Sequence, residues 1–202
     1  LDKNTLKQKY GFKEEDSILF FMGWLYQFSG LKEVALQLVR LNNYNPKLFI
    51  VGDGDAFENL EKIRVEHHLK DRIVLAGRRP YSEIPELIHT ADICLLPAYP
   101  GERIMQDIVP IKMYEYMACG KPVIATRLPG IVKEFDEGNG VIYVSGPEEV
   151  LDKAKELLEH KTRLKKLGDR AVNFVQRYGW DDITDRFEKV LWDLTGSLKS
   201  LK

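Results

Sequence analysis

Cysteine is scarce here, with only Cys94 and Cys119 in 202 residues. Each lies among apolar neighbours, which excludes a disulfide framework or a cysteine metal knuckle and points to a reducing, cytoplasmic setting. An excess of charge of one sign is also lacking. Lys and Arg number 30 and Asp and Glu 31, for a formal net charge of −1. No basic field therefore steers the chain to nucleic acid or anionic lipid. Long apolar runs are missing as well. The longest uncharged stretch, residues 17–31, is shorter than the roughly 20 apolar residues of a membrane span and is broken by Gly23, Gln27, Ser29 and Gly30. The opening LDKNTLKQKYGFKEED is polar and charged, with no secretory leader in it. Internal repeats and low-complexity segments are absent. The histidines, His67, His68, His89 and His160, pair with no acids at metal-ligand spacing, so no metal is expected.

What is present is a regular alternation. With 44% apolar residues the chain can fill one globular core. Short apolar runs at 18–22, 48–51, 73–76, 93–96, 123–125 and 141–144 predict strands. Amphipathic stretches at 31–41, 56–69, 82–91, 110–119, 147–160, 161–178 and 180–194 predict helices. The last has an apolar stripe of Trp180, Ile183, Phe187, Val190, Leu191 and Leu194. Such alternation implies an α/β fold: a single doubly wound, Rossmann-like parallel sheet of about six strands with helices on both faces. Ligands of such sheets bind outside the carboxyl ends of the strands. Those ends lead into residues 23–30, 52–55, 77–81, 97–109 and 126–130. The fourth, at 13 residues, is long for a connection in a compact domain, which usually signals function or mobility.

The most informative stretch is VPIKMYEYMACGKPVIA, residues 109–125. Pro110 suits the first helical position, where its missing N–H costs nothing. The next N–H groups, of Ile111, Lys112 and Met113, then point out of the helix start and form an anion site suited to a phosphate. Gly120 ends the helix and Pro122 prevents its continuation. Glu115 lies five residues past Pro110, about 7.5 Å along the axis, a span that fits the distance from a diphosphate to a ribose. A carboxylate there can accept from two neighbouring hydroxyls. Helix physics alone equally allows a surface pair between Glu115 and Lys112.

This stretch closely resembles the signature of family-4 retaining glycosyltransferases of the GT-B fold. The likeness extends to LFIVGDGDAFENLEKI, DRIVLAGRRPYSEIPELIHTADICLLPA, IATRLPGIVKEF with EGNGVIYV, and RYGWDDITDRFEKVLWDL. It implies the C-terminal, nucleotide-sugar donor-binding half of such an enzyme, holding a UDP-, GDP- or ADP-sugar and using no other cofactor. Glu115 then holds the donor ribose, and the helix start at Ile111, Lys112 and Met113 holds the diphosphate, with Gly23 and Arg103 nearby. The loop at Gly77, Arg78 and Arg79 faces the base. Asp107, seven residues before Glu115, matches the family's first acidic position, with Glu102 as a rival; with Glu115 it is the catalytic candidate. Two family cations are absent, Trp24 standing for an arginine and Ser29 for a lysine, and Lys112 is the expected substitute. The aromatic loop of Trp24, Tyr26 and Phe28 either packs or meets a partner.

The chain divides, on this reading, into a linker helix region (1–16), the donor-binding domain (17–179) and a closing helix and tail (180–202). The N-terminal acceptor-binding domain is an expected partner outside the chain, and any peripheral contact with the cytoplasmic membrane face belongs to that half. The fragment alone is expected to be inactive. A sugar-nucleotide epimerase of the same architecture and a non-catalytic binding module are the alternatives.

Overall fold

The computed structural model describes residues 2–41 and 45–199. Residue 1 of the expected linker region and the tail at 200–202 lie outside them. One six-stranded sheet organises the chain: β1 (Ile18–Met22), β2 (Lys47–Val51), β3 (Ile73–Leu75), β4 (Ile93–Leu96), β5 (Val123–Thr126) and β6 (Val141–Val144). The strand order is β3-β2-β1-β4-β5-β6, and every pairing is parallel. The strands are short and apolar on both sides because both faces are covered. Ile18, Phe20 and Met22 of β1 face one core, which holds residues of α4 (Ile84–Thr90), α5 (Lys112–Ala118), α6 (Pro129–Phe135) and α8 (Lys161–Val175). Leu19 and Phe21 face the other, under α2 (Leu31–Arg40), α3 (Phe57–Glu66) and α7 (Val150–Leu158).

Chain reversal falls between β1 and β4, and the sheet opens there. β1 pairs with β2 along its whole length, Ile18 to Met22. With β4 its register covers only Leu19 and Phe20. Past Phe20 the two strands part, as expected at the switch point of a doubly wound sheet. Met22 N–H, on the parting side, would be orphaned in the core. Instead it donates to the Tyr116 hydroxyl of α5 at 2.8 Å. Tyr116 is fully buried. Ala98 N–H, just beyond β4, donates likewise to the buried Thr126 hydroxyl at 3.1 Å.

The expected elements differ from the observed mainly at their ends, where hydrogen-bond patterns fray. Residues 82–91 open as a 3-10 turn, Tyr81–Glu83, before α4. The helix expected at 110–119 begins at Lys112. α6 lies partly in a segment read as loop. Pro129 at its first position and buried Ile131 and Phe135, four apart, account for it. Residues 1–16 contain α1 (Lys3–Lys9), which is seated on the domain rather than standing off it. Lys9 pairs with Glu86 of α4, and Lys3 with Asp92 at 2.5 Å. The stripe on α9 (Trp180–Lys199) is uncovered: Trp180 is 78% exposed and Phe187 62%.

Tyr116→Phe should leave Met22 N–H buried without an acceptor. We expect a loss of about 1–3 kcal/mol, read as a lower melting temperature at about 2–4 °C per kcal/mol for a domain of this size. An unchanged melting temperature would show that the amide finds another partner.

Candidate functional site

The ends of β1 and β2, the loop after β3 and the start of α5 frame a cavity of about 420 Å³. Its floor is glycine backbone. Gly23 N–H donates to Val51 O at 2.9 Å, and Gly52 N–H to Gly77 O at 2.8 Å, so three successive strand exits are tied together. Gly52 has φ +134°, and a Cβ there would stand 1.9 Å from the Gly23 carbonyl oxygen. Gly23 has φ +126°, and its Cβ would stand 2.5 Å from Lys112 Nζ. At Gly52 a side chain would strike backbone, and at both positions the positive φ disfavours any residue but glycine. The first loop is further laced to the second through Leu25 N–H to Asp53 O (2.9 Å) and Ala56 N–H to Leu25 O (2.8 Å).

Lys112 reaches under Gly23 from the first turn of α5. Its ammonium lies 4.4 Å from the centroid of the Phe21 ring, an attraction that partly offsets desolvation. Among the described residues no carboxylate lies within ion-pair distance of it, so the surface pair with Glu115 is not formed. Burial pushes the Lys112 pKa down to about 8, and the Glu115 charge only partly opposes this. Glu115 instead accepts from the Tyr81 hydroxyl at 2.9 Å, and this carboxylate raises the Tyr81 pKa.

A second cation arrives from the third strand. Arg78 lines the same cavity, 3.6 Å from Asp53 and 5.6 Å from the centroid of the Trp24 ring. Trp24, where the resemblance expects an arginine, thus carries one from another loop. Of the remaining loop aromatics, Tyr26 stacks on Phe28 with centroids 4.7 Å apart. Leu25 is fully buried, while Trp24 and Tyr26 are exposed.

The cavity therefore gathers Gly23, Arg78, Arg79, Ile111, Lys112 and Glu115. It does not gather the other candidates. Met113 is fully buried in the core, and its N–H donates to Pro110 O at 3.0 Å, because the turn already closes there. That leaves Ile111 and Lys112 as the N–H groups at the helix start. Gly77 lies behind the wall, its carbonyl taken by Gly52. Arg103 sits exposed in the 3-10 turn Arg103–Met105. Asp107 is exposed and lines no cavity at this crevice; its backbone packs against Gly130, where a Cβ would stand 2.9 Å from the Asp107 carbonyl carbon. The reading of single residues missed Tyr81, whose only signal was its place just past the Arg78-Arg79-Pro80 loop.

A larger cavity of about 600 Å³ adjoins the first, sharing Tyr81, Ile111 and Glu115 and reaching Trp180 and Ile183 of α9. Size does not choose between them. The smaller one holds the lysine, the arginine and the glycine floor, an arrangement suited to a polyanion. Among the described residues no group of His, Cys, Asp and Glu could hold a metal ion. Among them no helix is long and apolar enough to cross a membrane.

The order 3-2-1-4-5-6, with a cationic, glycine-floored crevice at the carboxyl ends of its strands, defines a Rossmann-like domain. The chain belongs to the glycosyl transferases group 1 family, whose model matches residues 2–174. It is 25% identical over 197 residues to N-acetyl-alpha-D-glucosaminyl L-malate synthase of Bacillus anthracis, covering 96% of this chain and 50% of that protein. It is also 25% identical over 172 residues to alpha-D-kanosaminyltransferase of Streptomyces kanamyceticus, covering 83% and 42%. The crystal structure of Anabaena HepE with UDP and glucose has the same fold, with TM-score 0.77 at 20% identity over 95% of this chain and 52% of that one. Sucrose-phosphate synthase from Thermosynechococcus elongatus gives TM-score 0.80 at 18% identity, over 95% and 49%. The chain thus spans about half the length of these relatives, and its sheet corresponds to one half of a GT-B fold.

Lys112 has its pKa lowered on folding, from 10.5 to about 8. Between those values the unfolded chain binds more protons, so this group makes stability rise with pH across that window. Below pH 8 the buried charge is a cost. Lys112→Met should therefore melt higher than the parent at pH 7, and the gap should shrink by pH 10. Thermal melts at the two pH values check this; a gap independent of pH would remove the buried charge as its cause.

Proposed function

We propose that this chain is the C-terminal, donor-binding half of a retaining, family-4 glycosyltransferase, holding a nucleoside diphosphate sugar in the cavity between the end of β1 and the start of α5. The observation that carries the reading is the convergence of Lys112, Gly23 and Glu115 on one cavity. The diphosphate lies over Gly23, against the Lys112 ammonium and the N–H groups of Ile111 and Lys112. Arg78 supplies further positive charge. Glu115 takes the ribose hydroxyls after releasing the Tyr81 hydroxyl. The Arg78-Arg79 loop faces the base, and neighbouring folds solved with UDP favour a uridine donor.

Sugar transfer requires the departing diphosphate to gain charge while the bond to the sugar breaks. Fixed donors and a buried cation at the leaving group stabilise that charge without reorganising. Lys112 fits because its charge is costly without a ligand and is repaid when an anion arrives. Asp107 has no role in this reading. The acceptor and the atoms that bind it belong to an N-terminal domain outside this chain, so the fragment transfers no sugar by itself.

Calorimetry with UDP, GDP and ADP tests the reading. One of them should bind with about −4 to −7 kcal/mol, weakly because one wall of the cleft is absent. Glu115→Gln should weaken that nucleotide and spare pyrophosphate; Lys112→Met should weaken both by about tenfold, or about 1.4 kcal/mol. Since a bound diphosphate raises the Lys112 pKa, affinity should fall as pH rises through about 8, and not in Lys112→Met. No nucleotide binding at millimolar ligand would sink the proposal.

A further inference from the structure

Three strand exits meet beside the cavity at Lys112. Trp24 follows Gly23 out of β1, Asp53, Gly54 and Asp55 follow Gly52 out of β2, and Arg78 follows Gly77 beyond β3. Arg78 lines the cavity, whereas Trp24 and Asp53 do not. The Trp24 ring is itself held. Its Nε1–H donates to Asp55 Oδ2 at 3.4 Å, and it lies so close to Gly54 that a Cβ there would stand 3.0 Å from a ring carbon. Arg78 lies against this ring, its guanidinium carbon 5.6 Å from the centroid, and its Nε is 3.6 Å from Asp53 Oδ2. The other oxygen of Asp53 accepts from Gly54 N–H at 2.8 Å.

An arginine whose side chain is 72% exposed would ordinarily sweep many rotamers, and fixing it on a ligand would cost that freedom. Here a ring face and a carboxylate restrict it before any ligand arrives. The ion pair runs through Nε, which leaves the two terminal nitrogens free, and among the described residues Arg78 donates no hydrogen bond. Its neighbour Arg79 lines the same cavity, but among the described residues no ring or carboxylate holds it. A restrained guanidinium with its fork unused is matched to an oxyanion that can accept two parallel bonds. Lys112 brings a point charge to the same cavity from α5. Two cations of different shape on one cavity suit a ligand with two linked phosphoryl groups.

We infer that Trp24 is a positioning residue: its ring face, with Asp53 beside it, holds Arg78 as the second cation of the diphosphate site, the arginine fork meeting one phosphoryl group and Lys112 the other. The inference rests on the donor reading above and adds to it a role for a side chain that touches no ligand. It assigns the Arg78 side chain to phosphate and leaves the base to the rest of that loop.

Calorimetry of this chain with inorganic pyrophosphate and with UDP tests the assignment. Pyrophosphate has neither base nor ribose, so only phosphate contacts register. Arg78→Met should weaken both ligands about tenfold, as loss of one charge-assisted contact does. Trp24→Leu should weaken both severalfold, and Trp24→Phe, which keeps a ring face, should recover most of that loss. In an Arg78→Met background, Trp24→Leu should cost nothing further, because the ring acts only through the arginine. In the parent protein the Trp24 ring should also shift the Arg78 side-chain proton resonances upfield; should Trp24→Leu fail to fold, the absence of that shift would overturn the contact. Weaker UDP binding in Arg78→Met with pyrophosphate unaffected would give Arg78 to the base and overturn the inference. An undiminished effect of Trp24→Leu in the Arg78→Met background, or no recovery in Trp24→Phe, would make the ring a support of the loop and overturn its role. Pyrophosphate binding without any nucleotide binding would remove the donor reading and leave the cation pair standing. Binding of neither removes the anion site, and the inference with it.

Discussion

One hydrogen bond sets the site's geometry: Met22 N–H to the Tyr116 hydroxyl. Parting two strands of a parallel sheet exposes backbone donors that the core cannot leave unpaired. Tyr116 solves this from outside the sheet and so fixes α5 against the open edge of β1. Lys112 precedes Tyr116 by one helical turn and Glu115 is its neighbour, so both inherit their positions from that anchor. Burial drives the Tyr116 pKa well above its ordinary value, which keeps the hydroxyl protonated and its oxygen available to the amide. The Gly23 turn follows directly from Met22. The anchor thus holds the turn and the lysine that reaches beneath it.

The cavity's charge follows from what its floor forbids. With glycine favoured at Gly23 and Gly52 by their positive φ, cations come from elsewhere. They come from the start of α5 and from the loop after β3. A lysine in the first turn of a helix opposes the dipole, and burial aggravates the cost. Such a placement is unfavourable for folding and is relieved by an anion. The aromatic loop completes the arrangement, because the Trp24 ring carries the Arg78 guanidinium toward the crevice.

Much of this was legible in the sequence. The three strand runs at 18–22, 93–96 and 141–144 match the observed strands residue for residue, since buried parallel strands are continuous apolar runs bounded by turn residues. The helix of residues 110–119 was legible from Pro110, Gly120 and Pro122, but its first turn was not. The bond from Met113 N–H to Pro110 O tightens the start and draws Met113 into the core, a local choice with no sequence signal. Pairwise contacts between distant loops were also hidden. The Tyr81–Glu115 and Arg78–Trp24 contacts depend on how β3 and α5 sit across the sheet, and spacing along the chain does not report it. α6 was missed because its seven residues are too short for periodicity to outweigh the flanking Gly and Pro.

The rim of the crevice is apolar and exposed, in contrast to its cationic interior. Ile111 and Tyr81 are 69% and 77% exposed at the rim, and Trp180, at the head of the uncovered α9 stripe, is 78% exposed. All three line the cavity that adjoins Glu115. A rim of exposed rings and branched chains beside a polar site marks a contact surface. When such a rim is covered, water leaves the crevice and each charge interaction inside it strengthens. The attraction of Lys112 for an anion is the one with most to gain, because its ammonium is already largely desolvated on the protein side. A surface that covered this rim would therefore strengthen the cavity's hold on an anion.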